Sequence, residues 1–385
     1  MRIRKIHWII CLLSLALFAI SVAYYEYFSQ FLNEDQYTNA NGFTRLIIPD
    51  TFLYKAIIDD QLIFQSIFFS AVKNTIGPSF IWVIASNNWV FVAFINAVFV
   101  FFTLRYLVKI ADELKLPVHK SYYLVFIIAT LPTTLFFSVG ALKEIPCLFG
   151  LVAFFYNYIM QKKNAYVFFF FFLILFRYQL AFPLVCFIIF DRFKEKSLFI
   201  TLMFLTGLSF FFPLLKLEIL SKDVVILFRE SNGSEGSIGS IIENIRSSIP
   251  GLSVFAVLIR TIQSIFEPFF SFLRAPDFYD EGDINIYSLS QFLALIILFT
   301  YWIQFIIGII NVIRNAKLYK QNLIRLYSIC SLIIIPTAGF SFIQHRYIYP
   351  ITGLLILSAM CTSEKGKMVT LKTSKATPAI SPSTI

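Results

Sequence analysis

The chain has 385 residues, 58% of them hydrophobic and 14% charged, with a mean hydropathy of +0.77 and a formal net charge of +10. Soluble globular proteins carry about a quarter charged residues, so a water-soluble enzyme is excluded, and successive apolar runs of spanning length point to a polytopic α-helical membrane protein. The five cysteines (Cys11, Cys147, Cys186, Cys330 and Cys361) have no metal-ligand spacing, and three histidines are too few for a His-rich metal site.

The N-terminus reads MRIRKIHWIICLLSLALFAISVAYY. Its basic start resembles a signal peptide, but the apolar run is long and no small-residue cleavage site follows, which predicts a retained first span over 7–25. A large polar segment, 26–87, comes next. Within it LIFQSIFFSAV is too short to span and reads as a helix lying in the membrane interface. Apolar runs then cover 88–108, 122–141, 145–160, 165–190 and 197–215. Between Lys120 and Lys162 the chain carries only two charges, the adjacent Lys143 and Glu144. Phenylalanine, 47 in all with an unbroken run at 168–172, reads as lipid-facing and helix-packing material.

The second large segment is 216–285. Its middle, SIGSIIENIRSSI, sets Ile238, Ile241, Ile242, Ile245 and Ile249 on one helical face, and VFAVLIRTIQSIFEPFFSFL reads as a stretch that dips into the membrane without crossing. Apolar runs at 286–312, 326–343 and 347–362 follow, and the polar tail 363–385 reads as disordered. No internal repeat stands out, which argues against transporter folds built from paired halves.

Nine spans would place Arg192, Lys194 and Lys196 outside, against the positive-inside rule. The conflict is removed if 165–190 is a hairpin of two short helices turning at Arg177, the only charge in that run, with the long side chain reaching the outer interface. The expectation is therefore an all-α polytopic integral membrane protein of about ten transmembrane helices. One membrane domain, 1–362, carries interfacial helices in the two large outer loops, and both termini are cytoplasmic. Inner segments then hold 20 Lys and Arg against 5 acids, leaving 12 basic and 17 acidic residues outside. The basic balance is an orientation signal, and no nucleic-acid partner is implied.

This topology brings charges from four distant turns to the outer boundary: Glu34 and Asp35, Lys143 and Glu144, Arg177, and His345 with Arg346. Each has an ordinary explanation as a span terminus, an interface anchor or a solvated loop, and Tyr347 and Tyr349 beside His345 read as ordinary interface aromatics. Together they suit a charged, membrane-tethered substrate. Cleaving the glycosidic bond of a polyprenyl diphosphate sugar requires cations on the diphosphate, for which Lys143, Arg177 and Arg346 are candidates. It also requires a proton acceptor, for which Asp35, Glu34, Glu144 and His345 are candidates. No DxD or Gly-rich phosphate loop is present. DEGD at 280–283 has the oxygens for a divalent cation, which stays open as a cofactor, although an acidic loop is a poor predictor of one.

LPTTLFFSVGALKEIPCLFGLVAFFY resembles a pattern in bacterial surface-polysaccharide membrane proteins, where a Pro-containing span ends in a small-residue turn followed by Lys-Glu and another span. FSFIQHRYIYPITGLLIL resembles the Arg-Tyr-x-x-Pro opening of a last span in the same proteins, and Glu34–Asp35 is similar to the base position of GT-C-type glycosyltransferases. The resemblance implies sugar transfer or repeat-unit polymerisation in O-antigen or capsule biosynthesis, at the outer face of a bacterial plasma (inner) membrane. The implied partners are a polyprenyl-diphosphate-linked oligosaccharide, the lipid bilayer and other polysaccharide-assembly proteins. The outer-loop arginines of such polymerases would correspond to Arg229, Arg246, Arg274 and Arg346. The acidic loop lacks a sharp GT-C motif, so the choice between polymerase and GT-C-like transferase stays open. The rival reading is a transporter or flippase of a lipid-linked glycan or anion, favoured if Arg177 lay at mid-membrane.

Overall fold

A computed structural model describes residues 2–29, 76–114, 116–139, 142–192 and 345–362, with scattered positions from 279 to 307. The described chain forms α1 (Arg2–Ser29), α2 (Ile76–Ile84), α3 (Trp89–Glu113), α4 (Val118–Thr130), α5 (Pro132–Val139), α6 (Glu144–Ile159), α7 (Lys163–Arg192), β1 (Tyr279–Asp280), β2 (Asp283–Ile284) and α8 (His345–Thr362). Apart from the short antiparallel β1–β2 pair, in which Asp280 faces Asp283, it is helical. Among the described residues, Lys5–Tyr24 of α1 and the whole of α3 are long and apolar enough to cross a membrane, and α4 with α5, bent by 52° at the break between them, makes a third only if the two are counted as one span. A helical membrane protein is what the described residues support. The runs 197–215 and 326–343, most of 286–312, the expected interfacial helix at 62–72, most of the loop 216–285 and the tail 363–385 lie outside them.

Local chemistry explains the breaks. Asn88, in an extended conformation, caps α3 by accepting the Val90 N–H on its side-chain oxygen at 2.9 Å. Leu131 precedes a proline and takes extended angles (φ −57°, ψ 127°), which ends α4, while Pro132 opens α5 where its missing N–H costs nothing. The single span expected over 122–141 is therefore two helices. Helix α2 falls where the sequence suggested only a loop; its IGPSFIWVI buries Gly77, Pro78, Ser79, Ile81 and Trp82.

Helix α6 is the hub. Every residue from Glu144 to Asn157 is buried, as suits a helix apolar all round. Helices α3, α7 and α8 surround it: Phe149 stacks on Phe99 at 4.9 Å, and Gly353 of α8 packs against Leu107 and Leu148. Gly150 brings the first arm of α7 close, since a β-carbon there would come within 2.8 Å of Phe172 and 3.0 Å of Leu173.

Helix α7 reverses direction. The Tyr158 ring of α6 lies 5.4 Å from Tyr166 and 4.9 Å from Phe187, so one side chain touches both ends of α7. A continuous helix would carry those two positions apart by about 32 Å, at about 1.5 Å of rise per residue. The backbone leaves the helical region at Arg177 (φ −160°, ψ 87°), and the arms 163–176 and 178–192 fold back against α6. This is the hairpin that charge asymmetry required, with Arg177 at its tip.

The bundle has two chemically different ends. At one, Lys109 Nζ donates to the Tyr156 hydroxyl at 3.5 Å and Lys120 Nζ donates to the Met360 carbonyl at 3.0 Å. At the other, Ser21 Oγ donates to the Ser138 carbonyl at 3.1 Å and the Tyr349 hydroxyl donates to Thr134 at 2.9 Å. Arg2, Arg4, Lys5, Lys109, Lys120, Lys162, Lys163 and Arg192 belong to the first, basic end, whereas Lys143, Arg177 and Arg346 belong to the opposite one.

Reporter domains fused after residue 163 and after residue 192 will report the same side of the membrane, and opposite sides would rule the hairpin out. Gly150→Ala will destabilise the detergent-solubilised protein by about 1–3 kcal/mol through overpacking against α7, read as a lowered melting temperature.

Candidate functional site

Lys143 and Glu144 open α6. Lys143 stands at the N-cap, Glu144 is the first residue of the helix, and Pro146 occupies its first turn, where backbone N–H groups have no intrahelical acceptor. A carboxylate there also faces the positive end of the helix dipole. Beyond this local fit, Glu144 is fully buried, and the hairpin of α7 carries Arg177 to it: Arg177 Nη2 lies 3.6 Å from Glu144 Oε1, with the two side chains 5% and 0% exposed. The sequence suggested an Arg177 reaching out to the interface. The structure corrects this: Arg177 turns inward and forms an ion pair with Glu144, on a different helix, inside the protein.

The surroundings are polar on several sides. Tyr349, expected to be an ordinary interface aromatic, is fully buried; it donates to Thr134 and packs edge-on to Phe137 at 4.8 Å. It also lies within electrostatic reach of Glu144. The hydroxyls of Thr133 and Ser138 are enclosed without a hydrogen-bond partner among the described residues. The Ser138 carbonyl, in the last turn of α5 where helix carbonyls lack intrahelical donors, is satisfied by Ser21 of α1. Gly77 of α2 lies against the Phe176 ring beside Arg177; a β-carbon there would come within 2.7 Å of it. Helices α1, α2, α5, α6 and α8 thus meet around the hairpin tip.

The candidate residues fall into three groups. Glu144 and Arg177 are in contact, and Lys143 is adjacent and half-buried. His345 and Arg346 form the first turn of α8, one turn before Tyr349, and so sit at the same end of the bundle by backbone position. Glu34, Asp35 and Arg229, with Arg246 and Arg274, lie outside the described residues. Among the described residues, no group of three or more His, Cys, Asp or Glu is placed to hold a metal. Sequence reading missed Tyr349, Thr134 and Thr133. A tyrosine one turn after His-Arg in an apolar helix was the available signal for the first.

Chemically, this is a guanidinium held by a buried carboxylate, with an ammonium on the next residue of the chain and unfilled hydroxyls nearby. Such a set offers positive charge and hydrogen-bond donors to an anionic group. No protein family, curated protein or solved structure matches the chain.

Breaking a buried ion pair from one side costs about 3–5 kcal/mol, whereas replacing both partners by apolar residues of similar volume is often neutral. Glu144→Leu and Arg177→Met singly will therefore lower the melting temperature strongly, and the double variant will recover most of the loss. Additive losses in the double variant would show that the two side chains do not act as a pair.

Proposed function

We propose that the chain is a membrane-embedded enzyme that transfers sugars, or polymerises repeat units, from polyprenyl-diphosphate-linked glycans in bacterial surface-polysaccharide biosynthesis. The observation that carries this reading is the buried Glu144–Arg177 pair beside Lys143, at the bundle end opposite the one where most basic residues of the described helices gather. Basic residues favour the cytoplasmic side, so the pair belongs to the outer face.

Helix length adds a depth argument. Helix α6 spans about 24 Å and each arm of α7 about 21 Å, against a hydrocarbon core of about 30 Å. A site at the outer end of such short helices is recessed beneath the surface. Lipid-tethered headgroups reach that depth more readily than soluble sugars do.

In the proposed reaction an acceptor hydroxyl attacks the anomeric carbon of the lipid-linked sugar. The bond from that carbon to the diphosphate oxygen breaks, and the polyprenyl diphosphate leaves with the electron pair. Arg177, Lys143 and Arg346 stabilise the leaving charge. The hydroxyl proton passes to a base, for which the Glu34–Asp35 segment and His345 are the candidates. Glu144 is committed to Arg177, so its role is to orient that guanidinium. Arg229 is left as a glycan-binding candidate, and a divalent cation is not needed for these steps.

A second reading has its own support. Helices broken at Leu131 and Arg177 beside a buried charge pair also suit a transporter or flippase of lipid-linked glycans.

Lys143→Ala, Arg346→Ala and Arg177→Lys, each inserted normally into the membrane, will abolish long-chain surface glycan in the cells that make it. Retention of normal glycan in all three would sink the proposal. Proteoliposomes containing the purified chain and a lipid-linked glycan separate the two readings, because the enzyme lengthens or transfers the glycan, whereas a flippase moves it unchanged.

A further inference from the structure

We infer that the basic end of the bundle carries a binding site for the phosphate headgroup of a membrane lipid, built around Tyr156. Lys109 of α3 and Lys162, just beyond α6, both place their ammonium groups over that one ring, at 5.1 and 5.7 Å from its centre. Both cations thus gather at a single side chain. Arg105, four residues before Lys109 on the same helical face, adds a third, and its Nε is enclosed without a hydrogen-bond partner among the described residues. Like charges in that register repel.

Carboxylates do not offset them locally. Asp112 and Glu113 are exposed at the end of α3, and among the described residues neither forms an ion pair with Arg105, Lys109 or Lys162. The C-terminus of α6 offers about half a negative charge to Lys162, less than one ammonium requires. A phosphate would complete the balance.

Lys162 is held in place by its own turn. The helix ends with the Lys162 N–H donating to the Asn157 carbonyl at 2.9 Å and the Gln161 N–H to the Tyr158 carbonyl at 3.0 Å, the paired bonds of a Schellman motif. Gln161 takes the left-handed conformation this requires (φ 56°), at a position where glycine is usual. Tyr106 stacks on Tyr156 at 4.8 Å and fixes the ring from the α3 side.

The surroundings choose a lipid over a soluble anion. From Tyr156 a ladder of rings runs toward the middle of the bundle: Tyr106 lies 6.3 Å from Phe149, and Phe149 lies 5.5 Å from Phe169. Tyr106 and Phe169 are half-exposed, and Phe168 beside them is 62% exposed. A headgroup seated on Lys109 and Lys162 would lay its hydrocarbon chain along this apolar track. Basic sites between transmembrane helices on the cytoplasmic side take anionic headgroups in this manner.

Native mass spectrometry of the purified full chain, with phosphatidylglycerol, phosphatidylcholine or a polyprenyl phosphate added, tests the site. Phosphatidylglycerol or the polyprenyl phosphate will remain bound where phosphatidylcholine does not, and the better retained of the two identifies the source of the phosphate. Lys109→Gln with Lys162→Gln will weaken retention by roughly thirtyfold, about fivefold for each charge. Lys5→Gln, which removes a charge from the same end, will leave it unchanged, and the double Arg replacement will preserve it. Equal retention of phosphatidylcholine, an unaffected double Gln variant of normal melting temperature, or displacement by millimolar inorganic phosphate would each overturn the inference.

Discussion

The ion pair between Glu144 and Arg177 organises the described bundle. An arginine in the middle of an apolar run of membrane-spanning length has two ways to avoid a large desolvation cost: reach an interface or find a carboxylate. Here the chain does the second. To bring Arg177 to the first residue of α6, α7 must leave the helical conformation at that residue and double back, and its two arms then pack against α6. The hub position of α6 and the short arms of α7 follow from where that contact is made. A buried pair of this kind contributes little net stability compared with an apolar replacement. Its presence speaks for a role that apolar side chains cannot fill.

Around the pair, close packing and polar groups are kept apart. Gly150 lets the first arm of α7 lie against α6, and Phe149, Phe169 and Phe172 fill the space on that side. On the side facing α5 and α8 stand Thr133, Thr134, Ser138 and Tyr349 instead. Hydroxyls are costly in an apolar core unless they are satisfied. Tyr349 and Thr134 satisfy each other, and their bond joins α8 to α5 at the end of the bundle that presents Lys143. The first turn of α8, with His345 and Arg346, is thereby tied to the same region as Arg177.

The two bundle ends differ in how they handle positive charge. At one end, Arg177 is matched by Glu144 and withdrawn from solvent. At the basic end, two ammonium groups rest on one aromatic ring. A recessed, carboxylate-held cation suits a substrate that comes and goes during a reaction. Cations left open at an interface suit a constituent of the membrane itself.

Composition and hydropathy alone determined the class of this protein, since no arrangement of residues this apolar could be dissolved in water. The charge count between spans was also enough to demand the reversal at Arg177, because the positive-inside rule acts on loops and is indifferent to packing. Helix ends at Asn88, Pro117 and Pro132 carry ordinary cap and breaker residues, although the Pro132 break was read as part of one continuous span. What the sequence could not supply was the partner of each polar side chain. Lys143 and Glu144 are neighbours in the chain and looked like a pair, yet adjacent residues on a helix point in different directions, and the carboxylate found its cation at the far end of another helix arm. Tyr349 looked like an interface anchor because an aromatic near a span end usually is one. Only the packing of α8 against its neighbours buried it and gave it Thr134. Periodicity and charge report how far a chain runs and which way it faces, whereas contacts between distant turns depend on the tertiary fold.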